Sequence, residues 1–345
     1  MGSYYRKSIT IDILFTVANR TFLSPFFSLW IPIIASLQKT SSASDQFYQS
    51  SIYFLIIVSI RWLLNYSSLA WLNKTWRIGW GDRIDWDHQI VLVTGGSDGL
   101  GRVLVETLDL KNITLVVLDL KPFTTNPSES DVHYYQCDVS DPKAVEAVAD
   151  RIKAEVGDPT IIINNAGVVN GKLIVDLNPN EVQRSFGVNV MSHFYLLKAF
   201  LPKMIELKQG HIVTVASVLG TIGVCQASDY CASKAACSSL HDSLRLELDH
   251  RHQCSGVRTT LVSPGRLETK MFGALRPQNR FLFPQVAPHD LAKLIIQTLD
   301  SNEGKEIWVP VYSKLTWVFK GFPSWAKDLA HWFAGSNEAM MDFHP

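Results

Sequence analysis

Val91-Leu92-Val93-Thr94-Gly95-Gly96-Ser97-Asp98-Gly99-Leu100-Gly101 is the stretch on which the fold of this 345-residue chain turns. Residues 90–93 are a short apolar run of the kind that forms a strand buried on both faces of a parallel sheet. Glycines at 95, 96, 99 and 101 break the run, and Leu100, Val103, Leu104, Thr107 and Leu108 then return at helical spacing. Strand, glycine turn and helix form the setting that a phosphate-binding loop requires. The glycines allow a tight turn and close approach to a pyrophosphate, whose charge meets the free amides and positive end of the new helix. An ordinary strand-to-helix turn has the same outline, so the rest of the chain must decide between them.

Downstream, apolar strands and helical tracts alternate, which predicts an α/β domain with a parallel sheet. Residues 112–120 (NITLVVLDL) form a second strand with Asp119 near its end. An acid there can accept both ribose hydroxyls of an adenosine and repel a 2′-phosphate, favouring NAD over NADP. It can equally cap the next turn. Residues 133–139 (HYYQCDV) make a third strand, whose Asp138 either meets the adenine amino group or caps the helix near Pro142. Residues 161–163 begin a fourth, ending in Asn164-Asn165-Ala166-Gly167, small enough for close cofactor approach and with amides able to tie strands together.

Residues 179–207 read as one long helical tract kinked near Pro202, with Asn189 inside. An interior Asn needs a partner: a backbone group in the core or a functional water. His193 nearby reads as a packing histidine. A fifth strand, 211–216, puts Ser217 at the strand end where ligands of open α/β sheets sit. Tyr230 and Lys234 follow at i,i+4 spacing on one helix face, among small residues that permit tight packing. Residues 257–262 form a sixth strand, 266–285 an apolar loop suited to a substrate lid or to packing over the sheet edge, 288–299 a helix and 306–311 a last strand.

Lysine plus arginine equals aspartate plus glutamate, 32 each, so bulk charge argues against a nucleic-acid partner. Five cysteines without a C-x-x-C pair, and scattered histidines, point to neither a disulfide framework nor a metal site. Four Asn-x-Ser/Thr triplets, the last at Asn112, read as coincidence.

The first eighty-odd residues differ in kind. Residues 21–38 carry no charge and would span about 27 Å as a helix, but Pro25 and Pro32 interrupt them. A second run, 52–72, holds Arg61 near its middle, where a charge is costly inside a bilayer. The pair reads as a hydrophobic membrane anchor, a re-entrant hairpin or interfacial pair rather than two clean spans, the alternative being ordinary core packed on the globular domain. Around Gly79-Trp80-Gly81-Asp82 the composition turns polar, dividing an anchor (1–86) from a catalytic domain (87–312) and an amphipathic tail (313–345) rich in Lys and Trp. The tail suits a membrane interface, or packing over the cleft.

Thr94-Gly95-x-x-x-Gly99-x-Gly101, Asn164-Asn165-Ala166-Gly167, Asn189, Ser217, Tyr230-x-x-x-Lys234 and Pro264-Gly265-x-x-x-Thr269 stand in one order. In this the chain resembles the short-chain dehydrogenase/reductases. The anchor and the tail Gly335-Ser336-Asn337-Glu338-Ala339-Met340-Met341-Asp342-Phe343 make it similar to the membrane-anchored branch of retinol and 17β-hydroxysteroid dehydrogenases. The resemblance implies a doubly wound, Rossmann-type parallel sheet of about seven strands. It implies NAD, with NADP less favoured, held by Thr94, Gly95, Ser97, Asp98, Gly99, Leu100, Gly101, Asp119, Asp138, Val139, Asn165, Ala166, Gly167, Tyr230, Lys234, Pro264, Gly265 and Thr269.

Tyr230 is then the general acid/base, its phenol made more acidic by Lys234 and by the oxidised nicotinamide. Ser217 holds the substrate oxygen, Asn189 a proton-relaying water, and Thr269 the nicotinamide carboxamide. The implied reaction is oxidation of a lipophilic alcohol of retinoid, steroid, terpenoid or polyketide type. An NADPH-dependent ketoreductase and a silent membrane scaffold are the alternatives. A homodimer at the endoplasmic reticulum or a lipid droplet, its catalytic domain facing the cytosol, completes the expectation.

Overall fold

The computed structural model describes residues 10–38, 41–76, 78–79, 83–124, 131–273, 275, 279, 281–341 and 343. The chain divides into two compact units, 1–80 and 81–345. Three of the four residues expected to mark the change in composition, Trp80, Gly81 and Asp82, lie outside the described residues, as does Asp342 of the tail.

The first unit contains α1 (Ile11–Arg20), α2 (Pro25–Ser28), α3 (Trp30–Leu37) and α4 (Ser42–Leu72). Pro25 opens α2 and Pro32 sits in the first turn of α3, so the charge-free run 21–38 forms two short helices. Their tract bends 58° away from α1. Ser41 and Ser44 cap α4 reciprocally. At 31 residues, α4 is long and apolar enough to cross a membrane, and Ile57 and Leu64 stand exposed on it. Arg61 has a partner: its guanidinium donates to Asn19 Oδ1 on α1 at 2.6 Å.

The second unit carries β1 (Ile90–Thr94), α5 (Gly99–Asp109), β2 (Thr114–Asp119), β3 (Val132–Gln136), α6 (Pro142–Glu155) and β4 (Ile161–Asn164). It continues through α7 (Pro179–Phe186), α8 (Ser192–Leu207), β5 (Gly210–Val215), α9 (Ser228–His250), β6 (Val257–Pro264), α10 (Pro288–Asp300) and β7 (Lys305–Val309). Two further helices, α11 (Tyr312–Lys320) and α12 (Ser324–Ala334), follow. All seven strands are parallel, in the order β3-β2-β1-β4-β5-β6-β7. The winding reverses between β1 and β4, and in such sheets ligands sit at the carboxyl ends of the strands beside that reversal.

Central strands are apolar on both faces because both are covered. Val91, Val93, Val117, Ile161 and Ile163 pack with α5 and α10, while Leu92, Val116, Ile162 and Ile212 pack on the side of α6, α8 and α9. All nine are fully buried. This apolar sandwich holds the strand ends in register, and with them everything that the site needs.

Three expectations require correction. The 179–207 tract breaks not at Pro202 but at a π-helical turn, Gly187–Met191. Pro202 lies on the exposed side of α8, where its missing amide bond faces solvent. Asp138 does not cap the helix at Pro142; Asp141 does, accepting from the Lys143 amide at 2.9 Å, while Asp138 bonds Ser140. Asn112 does not begin a buried strand, for it occupies an exposed left-handed turn ahead of β2.

Candidate active site

The glycine turn closes β1 onto α5. Gly95 and Gly99 adopt left-handed backbone, φ +65° and +56°, that other residues resist. Gly101 is required by contact instead: a Cβ there would stand 2.6 Å from Asn165 Nδ2 and strike the Gly95 carbonyl. Asp98 caps α5 by accepting from the Gly99 amide at 2.8 Å. The following amides, Leu100 and Gly101, have no earlier carbonyl within the helix to bond, an arrangement that suits an anion at its positive end. Thr94 Oγ1 accepts from the amides of Asn165 and Ala166, both at 3.0 Å, and Asn165 Nδ2 donates back to the Thr94 carbonyl. The strand-tying amide is therefore Asn165; the buried Asn164 side chain has no partner among the described residues. Across the turn, the Thr269 side chain faces Gly99, 3.5 Å from where a Cβ would be.

Asp119 bonds both neighbouring turns. Its carboxylate accepts from the Ser97 amide and from the Lys121 amide, each at 2.9 Å. Two of its roughly four lone-pair positions remain for a ligand hydroxyl. Lys121 Nζ reaches Asp98 at 3.3 Å. Burial pushes the Asp98 carboxyl up, but the Gly99 amide and the Lys121 ammonium outweigh it and hold the group below the ordinary carboxylate range. At the end of β3, Val139 is buried and Asp138 exposed.

At the carboxyl end of β5, Ser217 accepts from the Leu219 amide at 3.1 Å and lies at the Tyr230 phenol. Helical spacing on α9 puts Tyr230 and Lys234 on one face, 5% and 3% exposed. Lys234 Nζ donates to the Val215 carbonyl at 2.8 Å and lies 5.8 Å from the centre of the Tyr230 ring. A Cβ on Gly167 would stand 3.6 Å from Lys234 Nζ and 3.5 Å from Asn189 Oδ1, so the small residue after β4 brings backbone to both. Pro264 ends β6, and Gly265 just beyond it backs onto Pro310.

The Asn189 side chain finds a backbone partner in the core. Its side chain accepts from the Val168 amide at 2.8 Å and donates to the Val168 carbonyl and Ser233 Oγ. The π turn aims it at that strand-end segment, and Ser233 Oγ donates in turn to the Tyr230 carbonyl. Burial pushes the Tyr230 phenol up, Ser217 opposes it, and Lys234 is itself lowered by burial. His193 is buried and held at about 3 by burial, but it is not the satisfied packing histidine expected, for its Nδ1 has no partner among the described residues.

Sequence reasoning put Phe272 in the apolar loop and Met340 and Phe343 in the tail, but placed none of them, nor Val168, beside Tyr230, and gave Ser233 no role beyond its small size. Phe272 meets the Tyr230 ring edge-on at 6.0 Å. It belongs to the apolar loop read as a lid, of which 274, 276–278 and 280 lie outside the described residues. The loop's ends are pinned by a parallel bridge between Leu267 and Val286. The apolar character of the loop pointed to Phe272; nothing local marked Phe343.

A buried phenol with a hydroxyl and an ammonium beside it, on the edge that carries a phosphate-shaped turn, is equipped for proton transfer next to a dinucleotide. Residues 89–280 match the family described as short chain dehydrogenase. Retinol dehydrogenase 10-B of Danio rerio is 33% identical over 287 residues, covering 74% of this chain and 85% of that protein. A 4-hydroxyisoleucine dehydrogenase complexed with NADH superposes with a TM-score of 0.56 at 21% identity, over 64% of this chain and 97% of that one. A metagenomic short-chain oxidoreductase in complex with NADP superposes at 0.52 and 26% identity, over 64% and 96%.

Proposed function

The chain belongs to the short-chain dehydrogenase family, and we propose that it oxidises the hydroxyl of a lipophilic alcohol with NAD, Tyr230 taking the proton. The observation that carries this reading is the burial of Ser217, Tyr230 and Lys234 together at the sheet edge that bears the glycine turn.

The residues fit a dinucleotide: the close-packed glycines leave a cradle that a Cβ would fill, at the positive end of an eleven-residue helix. Gly95, Gly99, Leu100 and Gly101 would hold the pyrophosphate, Ser97, Asp98, Asp119, Asp138 and Val139 the adenosine, and Asn165, Ala166, Gly167, Pro264, Gly265 and Thr269 the nicotinamide half. Bound NAD supplies the hydride acceptor. Ser217 hydrogen-bonds the substrate oxygen and orients it toward Tyr230. Lys234, held by Val215, places a positive charge near the phenol and favours its ionised form. Asn189 holds the loop after β4 against α9, setting the backbone around Lys234, and a water bonded there would return the proton to solvent.

Two acids at the adenosine end, with Lys121 already paired to Asp98, support NAD over NADP. The likeness to a retinol dehydrogenase supports a lipophilic substrate, and exposed α4 supports a membrane, which we place at the endoplasmic reticulum or a lipid droplet with the catalytic unit in the cytosol. The partly exposed Met191, Phe194 and Leu246 on and beside α8 and α9 suit a homodimer through those helices.

Detergent-solubilised full-length protein, given NAD or NADP and a panel of retinoid, steroid, terpenoid and long-chain alcohols, tests the reading by nicotinamide absorbance. Reduction of NAD by one class is expected. A signal only with NADPH and the corresponding carbonyls would establish the ketoreductase instead. Absence of any cofactor binding in a titration would leave a scaffold.

A further inference from the structure

The chain returns, at its end, to the tyrosine. Met340 and Phe343 are 2% and 6% exposed, in one apolar cluster with Val169, Ala227, Tyr230 and Cys231. Val224, Leu219 and Phe272 border it. The segment that delivers them is held locally: Gly335 ends α12 in left-handed backbone, and His331 Nδ1 lies 2.6 Å from Ser336 Oγ. Phe343 donates its amide to the Met340 carbonyl at 3.1 Å.

On the opposite side stands Gly171, in the loop that leaves β4 through Asn165, Ala166 and Gly167. Its φ is +69°, and a Cβ there would stand 2.6 Å from Phe343 Cε1. A residue with a side chain at 171 and an aromatic ring at 343 cannot both keep these places. The ring thus lies between the loop bordering the glycine turn and the helix bearing the phenol.

We propose that the Phe343 ring, with Met340, is a wall of the chamber in which Tyr230 meets its substrate, and that it limits the width of the alcohol. The inference rests on the alcohol chemistry proposed above for Tyr230. A packed ring leaves room for an elongated, unbranched or polyene chain and excludes a fused-ring skeleton. Selection of this kind is by shape, and a misfit in an apolar pocket is worth about tenfold or more.

Two readouts test it on the full-length, detergent-solubilised protein. In Phe343→Ala the ratio of kcat/KM for a fused-ring secondary alcohol to that for a long unbranched alcohol rises about tenfold. Cys231, buried in the same cluster, becomes labelled severalfold faster by a bulky maleimide, read by peptide mass spectrometry. Cys137 and Cys254, buried in a different core, keep their slow rates. Gly171→Ala, which drives the ring out from the other side, moves both readouts the same way. Where Phe343→Ala loosens the whole fold, shown by Cys137 and Cys254 labelling faster too, Phe343→Leu and Gly171→Ala decide. An unchanged substrate ratio with unchanged Cys231 labelling overturns the proposal. Should the wild type turn over no alcohol, the proposed function fails, while the labelling of Cys231 still reports whether Phe343 walls the chamber.

Discussion

The Lys234 ammonium donates to the Val215 carbonyl at 2.8 Å and stands 5.8 Å from the centre of the Tyr230 ring. The end of β5 thus fixes where the positive charge sits relative to the phenol. Burial works against that charge, raising the phenol and lowering the ammonium. On the proposed mechanism, an oxidised nicotinamide bound beside the phenol would add a second positive charge favouring its ionised form.

Tyr230→Phe removes one hydroxyl and nothing else from the packing around Val169 and Phe272. Turnover is expected to fall by about 10²- to 10⁴-fold, the usual worth of a positioned acid/base. NAD binding, followed by titration, should survive. Comparable turnover in the variant would remove the mechanism.

The pH profile follows from the raised phenol. Only the ionised form accepts the substrate proton, so kcat/KM for oxidation should climb with pH along a single limb. Lys234→Met takes away the cation that favours ionisation, and the limb should move to higher pH. A limb in the same position would show that Lys234 does not tune the phenol.

Gly101→Ala should abolish cofactor binding and lower thermal stability, because the new methyl would strike the Gly95 carbonyl and Asn165 Nδ2. Overpacking of this sort costs about 1–3 kcal/mol. Nicotinamide fluorescence and a melting curve report the two effects. An unchanged melting temperature with intact binding would mean that the turn can open.

Asp119→Ala should relax the discrimination against NADP, measured as the ratio of kcat/KM for the two cofactors. The Ser97 and Lys121 amides lose their acceptor, so a stability loss of about 1 kcal/mol should accompany it. An unaltered ratio would assign the ribose to other groups.

Acid should destabilise the catalytic unit through its buried histidines. Burial holds His193 and His211 at about 3 and His241 at about 4, against 6.5 when unfolded. Above 6.5 these groups are neutral in both states and their stabilising contribution is complete. Below it the unfolded chain binds protons that the native one refuses, at about 1.4 kcal/mol per pH unit for each histidine. Melting temperature should therefore fall steeply between pH 6 and 4, and His241→Gln should flatten the slope. A flat profile there would mean that the histidines are not dry.

The sheet, the turn and the Tyr230–Lys234 face were legible because each is encoded within a few neighbouring residues. Strand runs such as 90–93, glycines at 95, 99 and 101, and i,i+4 spacing are local patterns. The break in the 179–207 tract was not legible, since proline suggests a kink wherever it stands, and only its exposure shows that the helix tolerates Pro202. The cap of α6 was left open: Asp138 and Asp141 both precede Pro142, and geometry alone tells which accepts from Lys143.

What residue order alone determined, then, is the alternation of strands and helices, the glycine cradle and which side chains share the α9 face, all consequences of backbone sterics and periodicity. What needed the folded chain is the partner of each polar group and the neighbour of each ring. Asn189 bonds Val168 and Ser233, Asp119 serves two turns at once, and Phe343 meets Gly171 from the far end of the chain. Contacts between distant segments arise from packing the whole apolar interior, and no local pattern carries them.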